Sequence, residues 1–115
     1  MPIFYRMSVL DGVDGGVDLD DSIVLAAALK DAGVDVIDCS SGGVATASGV
    51  ANRAPSPGYL VPLASGVRAG AGVATMAVGL IMAPEQANAV IADGHADLVA
   101  IGRELIADPN FAHRA

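Results

Sequence analysis

The sequence predicts an α/β fold with a parallel sheet, on three observations. Short apolar runs alternate with helix-forming runs along the whole chain. The later apolar runs stop at glycine or at Ser-Ser-Gly. Hydrophobic residues make up 53% of the 115 residues while aromatics make up only 3%. A core must therefore be built from Ala, Val, Ile and Leu, which suits buried parallel strands under Ala-rich helices. Regular alternation of this kind argues for right-handed βαβ units.

The elements follow in order. Ile3 to Val9 is a short apolar strand, and the Gly- and Asp-rich stretch Asp11 to Asp18 is a loop. Asp20 or Asp21 is placed to cap a helix running to about Ala32. Leu25, Ala28, Leu29 and Ala32 fall at i, i+3, i+4 and i+7, on one helical face. Gly33 sits where a C′ glycine belongs. Val34 to Cys39 is the second strand, ended by Ser40, Ser41, Gly42 and Gly43. Val44 to Pro57 is the least regular stretch, with small residues and two prolines. A helix is expected from about Leu60 to Ala69, then a strand from Val73 to Val78 that Gly79 stops. Pro84 suits the first turn of the next helix, Glu85 favours its positive end and Gly94 closes it. Leu98 to Ile101 is the fourth strand, and Gly102 to Ala107 starts a helix that Pro109 interrupts. A weak internal echo links Gly33 and Asp35, before one strand, to Gly94 and Asp97, before another. Such an echo also arises wherever αβ turns want a glycine and a polar strand start.

Charge and cysteine usage narrow the partners. A net charge of −7 and a pI near 4.3 disfavour nucleic acid and anionic membrane surfaces. A phosphate-bearing ligand would then need local, positioned donors. Cys39 is the only cysteine and has no intrachain partner, which favours a reducing compartment. The longest apolar run, Ala71 to Ala83, is too short to span a bilayer, and no leader pattern opens the chain. A cytoplasmic protein without membrane or nucleic-acid partners is expected.

Two strand ends carry the chemistry. Met76-Ala77-Val78-Gly79-Leu80-Ile81 runs into glycine shortly before a helix, and Leu98-Val99-Ala100-Ile101-Gly102-Arg103-Glu104-Leu105 runs into glycine, arginine and a helix start. A phosphate needs backbone N–H groups that approach closely, a helix's positive end and, best, a forked guanidinium. In (β/α)8 barrels the loops after strands seven and eight commonly form a phosphate site. If these are the last two strands of such a barrel, Gly79, Gly102 and Arg103 lie at that site. Spacing alone leaves the alternative open, namely packing glycines and a solvated arginine. At 115 residues the chain is also well below the roughly 250 of a complete barrel.

Longer segments carry a resemblance. Arg6-Met7-Ser8, the stretch Gly33-Val34-Asp35-Val36-Ile37-Asp38-Cys39-Ser40-Ser41-Gly42, and Pro57-Gly58-Tyr59-Leu60-Val61-Pro62 come first. Ala77-Val78-Gly79-Leu80-Ile81 and Ala96-Asp97-Leu98-Val99-Ala100-Ile101-Gly102-Arg103-Glu104-Leu105-Ile106-Ala107-Asp108-Pro109 follow. In this order the chain resembles the Old Yellow Enzyme family, nearest its bacterial NADPH dehydrogenase and ene-reductase branch.

The resemblance implies a partial (β/α)8 (TIM) barrel of about four βα units, strands five to eight. Residues 1–115 would form the C-terminal half of an FMN-binding domain. It implies FMN as cofactor, NADPH as reductant and an enone-type substrate. Arg6 matches the arginine near the pyrimidine side of the flavin, Gly79 a backbone contact near the phosphate, and Gly102 with Arg103 the phosphate-binding pair. The family's substrate-binding His motif and its N-terminal flavin contacts have no counterpart here. Met1-Pro2-Ile3-Phe4-Tyr5 also departs from the residues usual before the arginine. No catalytic residue and no metal ligand is therefore expected in this chain, and catalysis by it alone is expected to be incomplete. A phosphate-binding or purely structural half-barrel is the alternative, and a homo-oligomer or a complementing half-barrel is expected to cover the open sheet.

The remaining polar residues read as structural. His95 and His113 are expected in solvent, Asp35 and Asp97 at αβ turns, and Asp38 and Cys39 buried on a strand. Tyr59 is assigned to packing. Asp11, Asp14, Asp18, Asp20 and Asp21 lack the closing Glu of an EF-hand and read as caps and loop residues.

Overall fold

The computed structural model describes residues 1–42 and 56–115. The irregular stretch expected from Val44 to Pro57 therefore lies outside the described residues except for Ser56 and Pro57, and Gly43 lies outside them too. The strands are β1 (Phe4–Ser8), β2 (Val36–Ser40), β3 (Ala74–Ala77) and β4 (Leu98–Val99). The helices are α1 (Leu19–Asp31), α2 (Val61–Ala71), α3 (Pro84–Ala92), α4 (Arg103–Ala107) and α5 (Phe111–Arg114). The strands form one sheet in the order β1-β2-β3-β4, and every pairing is parallel.

Alternation along the strands divides the sheet into two faces. Met7, Ile37, Cys39 and Ala77 join Ala26 of α1, Ala64 and Val67 of α2 and Val90 of α3 in one core. On the other face Phe4 is 50% exposed and Arg6 and Ser8 are exposed, with Val36, Asp38 and Met76 beside them in register. Val36 thus lies on the face opposite the helices, where it is nonetheless buried, and Ile37 lies on the helix-covered face. Strands in chain order with their helices on one face are singly wound, as a stretch of barrel wall would be, and differ from a doubly wound sheet whose order reverses.

Helix α1 corrects one expectation. Its N-cap is Asp18, not Asp20 or Asp21. Asp18 Oδ1 accepts the N–H of Asp21 at 2.9 Å, and Asp21 Oδ2 accepts the N–H of Asp18 at 3.2 Å, a reciprocal capping box. The buried face runs through Ser22 and Ala26, whereas Leu25 is 44% exposed and Ala28 and Ala32 are exposed. An apolar template misses this face because its centre is a serine. Ser22 Oγ donates to the Val9 carbonyl at 2.7 Å, so the hydroxyl is satisfied inside the core.

The helix ends follow expectation closely. At Gly33, φ is +105°, its N–H donates to Lys30 and the Val34 N–H donates to Leu29, a Schellman motif. Gly94, with φ at +75°, repeats it after α3: its N–H donates to Ile91 and that of His95 to Val90. Pro84 begins α3 and Glu85 lies in its first turn. Asp108 follows α4 as expected of a helix stopped before Pro109. Its carboxylate pairs with Arg114 of the short α5.

Candidate functional site

The cleft lies beyond the C-terminal ends of the strands and has a volume of about 400 Å³. That falls within the roughly 300–1,000 Å³ of ordinary ligand pockets. Arg6 reaches it from β1, Ser40 and Ser41 from the end of β2, Gly79 to Met82 from the loop after β3, and Gly102, Arg103 and Glu104 from the start of α4. All four residues singled out in the sequence, Arg6, Gly79, Gly102 and Arg103, line this one cleft. The parallel topology brings them together, since each strand delivers its C-terminal end to the same side.

Arg6 and Asp38 are partners across β1 and β2. The Arg6 guanidinium donates to Ser40 Oγ at 3.1 Å and lies 3.6 Å from Asp38 Oδ2. Two-thirds of its side chain remains exposed. Asp38 is buried, and its Oδ1 has no partner among the described residues. A guanidinium held on one edge by a hydroxyl and a carboxylate keeps its remaining donors for the cleft.

Gly102 and Arg103 form the opposite corner. Gly102 is the N-cap of α4, with no side-chain cap, so the first N–H groups of that helix receive no side-chain acceptor. A Cβ built on Gly102 would meet no atom within 4 Å. Packing therefore does not require the glycine there, and open space over a helix start is what close approach of an anion needs. Arg103 is exposed and forms no salt bridge among the described residues. Glu104 is the one carboxylate lining the cleft, against two guanidiniums. These donors fit a phosphate monoester.

Gly79 differs from Gly102. Its φ is +115°, and an added Cβ would come within 3.1 Å of Leu60, so both backbone and packing demand glycine. Tyr59 packs against the core and also lines the cleft. The sequence reading assigned it to packing and left out Ser40, Ser41, Leu80 and Glu104. Ser40 had a signal, since it ends a strand whose neighbours were already assigned to the site.

The other candidates lie elsewhere. His95 is exposed at the strand-entry end, with Nδ1 3.4 Å from Ser65 Oγ, and His113 is exposed. Asp97 sits at the start of β4, where Arg68 clasps it with Nε and Nη2 at 3.0 and 3.1 Å. Cys39 is fully buried on the helix side. Burial pushes its thiol up to about 12, and the charge of Asp38 adds to the shift. Among the described residues no three His, Cys, Asp or Glu side chains are grouped to hold a metal ion. No described helix is long and apolar enough to cross a membrane.

A family model described as NADH:flavin oxidoreductase / NADH oxidase matches residues 1–115. An NADPH dehydrogenase of Listeria monocytogenes serotype 4a (strain HCC23) is 45% identical over 116 residues, covering 99% of this chain and 32% of that protein. NADPH dehydrogenases of Bacillus subtilis (strain 168) and Halalkalibacterium halodurans are 44% and 42% identical over 114 residues, again with 99% and 32% covered. The chain thus spans about a third of the length of these relatives.

Proposed function

The chain belongs to the NADH:flavin oxidoreductase / NADH oxidase family, and on that premise we propose that its cleft holds the phosphate end of FMN. The observation that carries this reading is the meeting of Arg6, Gly79, Gly102 and Arg103, from three separate βα units, at one cleft. Arg103 and the N–H groups at Gly102 hold the phosphate, and Gly79 lets the loop after β3 approach it. Arg6 lies across the cleft, where its guanidinium would favour negative charge on the pyrimidine side of a bound flavin. Ser40 and Asp38 fix the direction of that guanidinium.

FMN, when bound, would supply hydride transfer between NADPH and an activated alkene such as an enone. We assign this chain the flavin-holding share of that reaction, as strands five to eight of a (β/α)8 barrel, in a cytoplasmic setting that suits the single thiol Cys39. The uncovered sheet face, with Phe4 and Leu98 half-exposed, supports a larger barrel around this segment or a second copy against it.

The two sides of the reading separate experimentally. Purified 115-residue chain incubated with FMN and desalted should retain flavin absorbance, whereas NADPH oxidation with an enone acceptor should stay far below the ordinary enzyme range of about 1–10³ s⁻¹. Absence of retained flavin at saturating FMN would reject the cofactor reading, and turnover within that range would reject the assignment of only a share of the reaction.

A further inference from the structure

Leu80, in the loop between β3 and α3, is the one non-glycine residue with a positive φ among the described residues, at 51°. A leucine there is strained because its Cβ crowds the following carbonyl. Such a conformation persists only where surrounding interactions over-determine it. Here they are visible. Gln86, in the first turn of α3, accepts the Met82 N–H through Oε1 at 2.9 Å and donates Nε2 to the Leu80 carbonyl at 3.0 Å. The Gly58 N–H is shared between the carbonyls of Gly79 and Leu80, at 3.0 and 3.2 Å.

These bonds fix the direction of the loop's other groups. The carbonyl and N–H of one trans peptide point opposite ways. Tying the Gly79 and Leu80 carbonyls to Gly58 and Gln86 therefore turns the N–H groups of Leu80 and Ile81 away from those partners. Leu80 and Ile81 both line the cleft, and neither N–H has an acceptor among the described residues. Gln86 itself does not line the cleft, so any effect it has there passes through Leu80.

We propose that Gln86 is a positioning residue: its two bonds hold Leu80 in the left-handed conformation, which presents the N–H groups of Leu80 and Ile81 to the anionic group of the ligand. This rests on the reading that the cleft takes a phosphate-bearing flavin. No local signal announces this role, because a glutamine at the start of a helix is ordinarily solvated.

The test uses Gln86→Met, which removes both bonds at similar side-chain length, and the double variant that adds Leu80→Gly. In Gln86→Met, the ¹³Cα shift and HN–Hα coupling of Leu80 should move to values of a negative φ. FMN affinity, read by fluorescence quenching, should fall about tenfold or more. Leu80→Gly should then restore most of it with Gln86 still absent, because glycine takes positive φ freely. Leu80 remaining at positive φ in Gln86→Met overturns the proposal. So does an unchanged FMN affinity, or a loss that Leu80→Gly fails to recover. Should Gln86→Met not fold, Gln86→Glu replaces it, keeping the acceptor for Met82 and losing the donor to Leu80. If the wild-type chain takes up no FMN, the cofactor reading fails on its own, and the conformation of Leu80 in the variant alone decides the role of Gln86.

Discussion

Asp35 and Asp97 make the same reciprocal pair of bonds at two αβ turns. Asp35 Oδ2 accepts the Ile3 N–H at 2.8 Å while its own N–H donates to the Ile3 carbonyl at 2.9 Å. Asp97 Oδ2 accepts the Thr75 N–H at 3.0 Å and its N–H donates to the Thr75 carbonyl at 2.9 Å. Each aspartate thus joins the turn after a Schellman glycine to the start of the neighbouring strand. The echo of Gly33 and Asp35 in Gly94 and Asp97 is a repeated piece of structure as well as a repeated composition. It lies at the end of the sheet opposite the cleft and serves stability.

Asp97 differs from Asp35 in its Arg68 partner. The hydrogen bond from Arg68 holds the Asp97 carboxyl below its usual range, with the Thr75 N–H helping and burial opposing. A depressed folded-state value gives stability that is full above the unfolded carboxylate pKa of about 3.9 and is lost as pH falls below it. Asp97→Asn keeps an acceptor for Thr75 but removes the charge. It should cost about 1 kcal/mol at pH 7, the low end because the pair is partly exposed. In thermal melts the gap between wild type and variant should close as the pH is lowered from 5 towards 3. A gap independent of pH would remove the ion pair from the account.

Packing between α1 and α2 rests on two small residues. A Cβ on Gly70 would lie 2.6 Å from Ile23 Cδ1 and 2.9 Å from its Cγ2, and one on Gly66 would lie 2.9 Å from Leu19 Cδ2. Alanine gains up to about 1 kcal/mol of helix propensity over glycine, but overpacking costs about 1–3 kcal/mol. Gly70→Ala should therefore destabilise in urea melts despite the better helix former. Gly102→Ala, with open space at its Cβ, should leave the melt within about 0.5 kcal/mol of wild type. A stabilised Gly70→Ala would show that the two helices separate easily.

Cys39 should be inert. With its thiol pushed up to about 12 by burial and by Asp38, the folded chain carries almost no thiolate at pH 8. A colourimetric disulfide reagent should react with it only on unfolding. Stability should also decline above the free-thiol pKa of about 8.5, because the unfolded state ionises there and the folded state does not. Rapid labelling of native protein would contradict the buried placement.

The open sheet bears on assembly. Phe4 and Leu98 are 50% and 41% exposed, on strands that pair on one side only among the described residues. Covering a large apolar side chain is worth about 1.5–3 kcal/mol, and unpaired strand edges favour association. Sedimentation of the 115-residue chain should show a dimer that dissociates on dilution. A monomer with a cooperative melt independent of concentration would count against the need for a partner.

Much of this was legible in the residues. Alternating apolar and helical runs, glycines after helices and Pro84 at a helix start are local signals, and the elements followed them. That Gly102 and Arg103 share a cleft corner was readable because they are adjacent in the chain at a strand end. Arg6 was not readable from spacing, since its place beside Ser40 and Asp38 depends on strand register, and only the family resemblance pointed to it. The buried face of α1 was not legible because Ser22 is polar, and its partner, the Val9 carbonyl, belongs to another element. Leu80 and Gln86 gave no signal, because a positive φ on leucine is imposed by tertiary bonds and no local preference announces it.

Titration of FMN against wild type, Arg103→Ala and Arg68→Ala, followed by flavin fluorescence, tests the central claim most directly. Arg68 lies at the opposite end of the sheet, so its variant changes net charge equally without touching the cleft. Arg103→Ala should weaken FMN by about 1.5–3 kcal/mol, the worth of hydrogen bonds to a charged group, and Arg68→Ala should bind as wild type does. Equal FMN affinity in wild type and Arg103→Ala would contradict the assignment of this cleft to the flavin phosphate.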